Sequence, residues 1–247
     1  MVNMKDKKIK KSKKRFFPNT LTIANMFLGF LSIIFIMQGK YFNAGLFILI
    51  AGLLDIFDGK IARLLGISSK FGVEFDSLAD TVSFCVAPSF LVFNLYTQDL
   101  PFLFGTIVSF IPLICGTVRL AKYNLDNDEN SNKSYFIGLS TPISTVTILA
   151  YMYFNNQIFG EGYFGDANIA LGLVIVLGLL MLSPIPFPKV PLITFRSSQT
   201  NTALLMVLLA SSLSLIIWKG FALLPICIGY IVTNTFLWVF RIRTKRI

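Results

Sequence analysis

The sequence predicts an all-α integral membrane protein, a polytopic bundle of about eight transmembrane helices. Three observations carry this expectation. The chain of 247 residues is 55% hydrophobic and only 14% charged, whereas a soluble domain carries about 25% charged residues. Apolar runs poor in charge, and long enough to cross a bilayer, recur along its length. The basic residues then sort almost entirely to one side of the membrane that those runs imply.

The apolar segments are 17–38, 42–65, 76–97, 101–122, 137–155, 168–185, 201–217 and 220–240. Turn-forming or polar residues separate them: Gln38–Lys40, Ser68–Ser69, Gln98–Asp99, Asn124–Lys133, Asn155–Gly162, Pro186–Ser198 and Lys219. The stretch from Phe16 to Met37 is too long for the apolar region of a signal peptide, and no small-residue cleavage site follows it, so it reads as a retained first span. With the N-terminus placed in the cytoplasm, every one of the 22 basic residues except Lys40 and Lys219 falls on the cytoplasmic side. That asymmetry is the positive-inside pattern. It predicts both termini and the connected polar loops in the cytoplasm, in a cytoplasmic (inner) membrane. Residues 1–15 form a basic tail, 16–240 the transmembrane domain, and 241–247 a second basic tail.

Composition also excludes function classes. The net charge is +10, but eight basic residues are packed before residue 16, beside an apolar segment. Such a run marks a terminus lying against anionic lipid, and no nucleic acid is expected as partner. Cys85, Cys115 and Cys227 are far apart and each lies in an apolar run, so they read as small core residues. There is no histidine. The commonest general base and metal ligand are therefore missing, and acid–base chemistry falls to carboxylate, lysine, tyrosine or water.

Five of the 12 acidic residues lie between Asp55 and Asp80. Asp55 and Asp58 are three apart at the end of the second span; Asp76 and Asp80 are four apart at the start of the third. On helices each pair shares a face, and a short cytoplasmic turn brings the two pairs together. Four carboxylates at a membrane face repel one another and are expensive to ionise. Lys60 and Arg63 offset part of this. Divalent cations do so better, because carboxylate oxygens suit hard ions such as Mg²⁺ or Mn²⁺. A metal with few protein ligands completes its shell with water and substrate phosphate, so the cluster implies a phosphate-bearing substrate and a plausible two-ion site. Gly59, Ala62 and Gly72 let a nucleotide lie close to backbone. Taken singly, Gly59 and Ala62 read as helix-packing residues and Gly72 as a turn.

Together these residues give Asp55-x2-Asp58-Gly59-x2-Ala62-Arg63-x8-Gly72-x3-Asp76-x3-Asp80. This spacing resembles, position for position, the signature of the CDP-alcohol phosphotransferase family, membrane enzymes that displace CMP from a CDP-linked substrate with an alcohol. The resemblance implies that family's helical fold and a homodimer. It implies that Asp55, Asp58 and Asp76 hold the metals with Asp80 nearby, and that Asp80 takes the proton of the acceptor hydroxyl. Gly59, Ala62 and Gly72 would cradle the CDP moiety, with Arg63 near the phosphates or bracing the site.

The likeness extends to Pro18–Asn25, Asp76–Phe84 with Ala87-Pro88, Arg119–Asn124 and Phe136–Pro142. These segments are similar to the membrane-embedded bacterial branch of the family that uses serine. Ser140 departs from it, standing where that branch usually has proline. The donor implied is CDP-diacylglycerol and the acceptor L-serine. Arg119, at the cytoplasmic end of the fourth span, is a candidate for the serine carboxylate, against the simpler reading of a positive-inside anchor. Asn124 and Asn25 are further acceptor-side candidates, each also suited to capping or bracing a helix. The missing histidines exclude a phospholipase-D-like route through a histidine nucleophile, leaving one in-line displacement without a covalent enzyme intermediate.

Two alternatives stand beside this. A sister enzyme would take glycerol 3-phosphate or inositol phosphate, but few basic residues remain in the later loops, namely Lys133, Lys189 and Arg196. An ion-coupled transporter would place its acids near the bilayer midplane, often in repeated broken helices. Here they gather at one cytoplasmic mouth.

Overall fold

The structure is a computed structural model that describes residues 4–65, 70–129, 135–188 and 221–244. Helices α1 (Met4–Met37) and α2 (Tyr41–Leu65) form a hairpin. Its tip has a defined chemistry. Gly39 lies at φ +71, the left-handed region that favours glycine. Its N–H bonds the Ile36 carbonyl and the Lys40 N–H bonds the Phe35 carbonyl, both at 2.9 Å. This is the paired C-terminal closure that satisfies the last carbonyls of a helix.

A second rod runs from α3 (Lys70–Thr81) through a π-helical turn (Val82–Val86) into α4 (Ala87–Tyr96). A third joins α5 (Phe102–Ser109) to α6 (Ile111–Glu129). Pro112 has no N–H for the Val108 carbonyl, which accounts for the break at Phe110. Strand β1 (Tyr135–Ile137) pairs antiparallel with β2 (Pro186–Pro188), and Gly138 turns the chain at φ +79 into α7 (Thr141–Phe159). A Cβ at Gly138 would collide with the Met181 carbonyl. Helix α8 (Ala167–Leu182) is capped by Asp166, whose Oδ1 accepts from the Asn168 and Ile169 N–H groups at 2.8 and 3.1 Å. Helix α9 (Leu223–Thr244) ends the described chain.

Helix α7 lies at the centre. Thr141, Ser144, Thr145 and Thr147 are buried along with Ile148, Leu149, Ala150 and Met152. Buried hydroxyls need partners: Thr145 donates to the Phe84 carbonyl and Thr147 to the Ile143 carbonyl, both at 2.7 Å, while Tyr153 donates to the Phe42 carbonyl at 2.9 Å and Tyr151 to the Asp166 carbonyl at 3.0 Å. The outside is apolar, with Phe27, Phe30, Phe57, Phe102, Leu179 and Phe236 all exposed. Among the described residues, five helical stretches are long and apolar enough to cross a membrane: Thr20–Met37, Tyr41–Gly59, Phe71–Tyr96, Phe102–Leu125 and Leu223–Phe240. The protein is a multi-pass membrane protein with a helical bundle fold.

Several boundaries differ from the sequence expectation. The first helix begins at Met4, so the basic stretch continues it backward. The third begins at Lys70, which puts Gly72 inside a helix and not in a turn. Helix α6 runs to Glu129 and absorbs the start of the loop expected from Asn124. Residues 137–140, expected to open a helix, instead carry the end of a strand and a glycine turn. The segment 201–217 lies outside the described residues.

Candidate active site

Asp55 and Asp58 lie toward the C-terminal end of α2, and Asp76 and Asp80 on successive turns of α3. The hairpin and the second rod bring the pairs together as their spacing suggested. Oxygens of Asp55, Asp76 and Asp80 all lie within 4.8 Å of one another, a little wider than the roughly 2.9–4.2 Å between oxygens sharing one octahedral Mg²⁺. Asp58 stands beside this trio, within electrostatic reach of Asp76 and Asp80. Its Oδ2 accepts from Thr22 Oγ1 at 2.9 Å.

Two buried carboxylate oxygens, Asp58 Oδ1 and Asp76 Oδ1, have no hydrogen-bond donor among the described residues. A buried charged acceptor left without a donor costs several kcal/mol, about 1–3 for a neutral group and more when charged. A divalent cation is the partner such oxygens suit best. The residues present therefore fit a metal, and the cluster can bind one.

Asn25, on α1, is fully buried and donates from Nδ2 to Asp80 Oδ1 at 3.4 Å. Ser83, in the π turn, donates to the Asn25 carbonyl at 3.0 Å. Asn25 thus sits against the carboxylate itself. Asn124 is engaged elsewhere, bonding Ser77 at 3.0 Å and Glu74 Oε2 at 3.3 Å, so that it braces α6 against α3. Arg119 is buried on α6, donates to Thr141 Oγ1 at 3.2 Å, and lies within electrostatic reach of Asp80. Gly59 and Gly72 are half-buried beside the carboxylates in sequence. The side chains of Ala62 and Arg63 fall outside the described residues.

Sequence reasoning missed Thr22, Ser83 and the π turn. A signal for Thr22 existed. Thr22, Asn25, Gly29 and Ser32 recur at helical spacing in an otherwise apolar span, and the three polar ones are buried. A polar stripe on an apolar helix marks the side that faces protein and not lipid.

Comparison with known proteins agrees with this geometry. The family model described as CDP-alcohol phosphatidyltransferase matches residues 15–239. A Helicobacter pylori protein named CDP-diacylglycerol–serine O-phosphatidyltransferase is 33% identical over 226 residues, covering 91% of each chain. A Bacillus subtilis protein of the same name is 35% identical over 173 residues, 70% of this chain and 90% of its own. One from Methanocaldococcus jannaschii is 32% identical over 171 residues, 69% of this chain and 73% of its own. With a family match over nearly its whole length, and with the acidic cluster of that family's signature assembled at the end of two helices, the chain belongs to the CDP-alcohol phosphatidyltransferase family.

Proposed function

We propose that this protein transfers the phosphatidyl group of CDP-diacylglycerol to the hydroxyl of L-serine, releasing CMP and forming phosphatidylserine. The observation that carries it is the similarity, over 91% and 70% of this chain, to two relatives named for that reaction. The acidic cluster supplies the chemistry. Asp55, Asp58 and Asp76, with Asp80 adjoining, would hold divalent ions, Mg²⁺ or Mn²⁺ and two in number. Bound there, the ions neutralise the phosphates and the departing CMP.

The chain's own residues do the rest. Asp80 accepts the proton of the serine hydroxyl as the serine oxygen bonds to the diacylglycerol-linked phosphorus and the bond from that phosphorus to the CMP oxygen breaks. Asn25 orients the Asp80 carboxylate. Gly59, Ala62 and Gly72 give the nucleotide room against α2 and α3, with Arg63 toward its phosphates. Arg119 takes the serine carboxylate from the α6 side. Asn124 holds α6 in register with α3. The site opens to the cytoplasmic face of the inner membrane, both termini lie on that side, and two copies assemble as the homodimer that the family resemblance implies.

The test is an acceptor panel. Purified protein in detergent receives CDP-diacylglycerol, Mg²⁺ and one alcohol per reaction, and CMP release is followed. L-serine should be the best acceptor, EDTA should abolish release, and Mg²⁺ or Mn²⁺ should restore it. Better turnover with glycerol 3-phosphate or inositol phosphate would overturn the serine assignment. Full activity in metal-stripped protein would overturn the metal assignment.

A further inference from the structure

Beyond Asp80 the second rod leaves α-helical geometry for one turn, and the cause lies in the chain. An α-helical carbonyl takes the N–H of the residue four positions on. For Phe84 that residue is Pro88, which has no N–H. The ladder widens here: the Ala87 N–H reaches five residues back, to the Val82 carbonyl. The Phe84 carbonyl takes a donor from another helix, Thr145 Oγ1 of α7, at 2.7 Å. Phe84 and Thr145 are each 1% exposed, so water cannot readily replace that hydroxyl.

The turn so held touches the site directly. Its Ser83 bonds the Asn25 carbonyl, and Asn25 bonds Asp80. A π turn inserts one extra residue and shifts the faces on either side of it by about 100° relative to each other. The direction of Ser83, and the seat of Asn25 against Asp80, therefore depend on the turn staying wide. One helical turn earlier on α7, Thr141 accepts from Arg119, so two hydroxyls of one helix face reach two sides of the site.

We propose that Thr145 is a positioning residue for phosphatidyl transfer: by holding the Phe84 carbonyl it locks the π turn whose Ser83 seats Asn25 against Asp80. The proposal rests on the reading of Asp80 as the base. The Thr145 hydroxyl donates to the Phe84 carbonyl and reaches Asp80 only through the π turn and Asn25, so its loss acts on turnover more than on donor binding.

Thr145→Val removes the hydroxyl at nearly constant volume, and Thr145→Ser keeps it. Both are compared with the parent and with Asp80→Asn, all as full-length protein in the same detergent. The measurements are kcat, KM for CDP-diacylglycerol, metal-dependent binding of a CDP-lipid, and Tm. Thr145→Val should lower kcat per binding-competent site by about 10- to 100-fold, the scale of a sub-ångström to one-ångström misplacement. CDP-lipid binding should survive, and Thr145→Ser should recover most of the lost turnover. Parent-like kcat in Thr145→Val overturns the proposal. So does a loss confined to Tm and to the fraction of protein that binds CDP-lipid, and so does an equal defect in Thr145→Ser. Asp80→Asn separates the two levels: an active Asp80→Asn removes the base reading and this proposal with it. An inactive Asp80→Asn beside a fully active Thr145→Val removes the role of Thr145 alone.

Discussion

Asp80 lies one helical turn beyond Asp76, about 6 Å along the α3 axis, and it is the carboxylate that Asn25 contacts. It also belongs to the oxygen trio with Asp55 and Asp76, so ligand and base are competing roles for one group. Asp80→Asn keeps the shape and removes the basic oxygen. If the base role dominates, kcat falls by about 10²- to 10⁴-fold while metal-dependent binding of a CDP-lipid persists. Asp76→Asn should instead weaken metal and nucleotide binding together. Equal loss of metal-dependent binding in both variants would make Asp80 chiefly a ligand. Arg119 allows an independent test. It is buried, bonded to Thr141 and near Asp80, and a charged hydrogen bond to a substrate carboxylate contributes about 1.5–3 kcal/mol. Arg119→Ala should therefore raise the serine KM by about 10- to 100-fold, with a much smaller change in the CDP-diacylglycerol KM. Equal changes in both would mean that Arg119 anchors the helix and not the acceptor.

At the scale of elements, the site depends on how closely α1 approaches the π turn. A Cβ built on Gly29 would collide with Ser83 Oγ and come within 2.8 Å of the Ser83 Cα. Glycine at this position lets the two backbones meet, and only at that separation does Ser83 reach the Asn25 carbonyl. Helix α6 approaches the same turn through Gly116, whose Cβ would collide with Cys85 Sγ. Small residues at such crossings are what allow membrane helices to pack without a hydrophobic drive between them. Gly29→Leu should force α1 outward and displace Thr22 and Asn25 together. Overpacking of this kind costs about 1–3 kcal/mol, so Tm in detergent should drop and turnover should fall further than Tm alone explains. An unchanged turnover would show that the α1 contacts to Asp58 and Asp80 are dispensable.

For the whole molecule, the carboxylates sit at one end of the α1–α2 hairpin and the Gln38–Lys40 turn at the other. A helix of the length of α2, Tyr41–Leu65, rises about 37 Å, enough to cross a hydrocarbon core of about 30 Å. If the site is cytoplasmic, Lys40 and Gln98 face outward, and both are exposed. Lys40→Cys and Gln98→Cys should react with a membrane-impermeant maleimide in intact cells, while Leu125→Cys should react only after permeabilisation. Cys85 and Cys227 are buried and Cys115 is half-buried, which keeps the native background low. The reverse labelling pattern would invert the orientation and place the site on the wrong side for cytosolic serine.

The sequence by itself determined the class of molecule and the location of its chemistry. Membrane spans follow from composition and from runs of apolar residues, which are local properties. The convergence of Asp55, Asp58, Asp76 and Asp80 follows from three- and four-residue spacing on two helices that are close in sequence, and that too is local. The tertiary structure alone decided which groups attend those carboxylates. Thr22 reaches Asp58 across 36 residues, Asn25 reaches Asp80 across 55, and Thr145 reaches Phe84 across 61. Asn25 and Asn124, read from the sequence as acceptor contacts or as helix braces, bond Asp80 and the Ser77–Glu74 face of α3 respectively. Pro88 has no N–H for the Phe84 carbonyl, but whether that carbonyl would meet water, lipid or a hydroxyl depended on which helix packed beside it. Such contacts arise where separate rods cross, at distances set by glycines such as Gly29 and Gly116, and no periodicity within one helix encodes the partner that the next one presents.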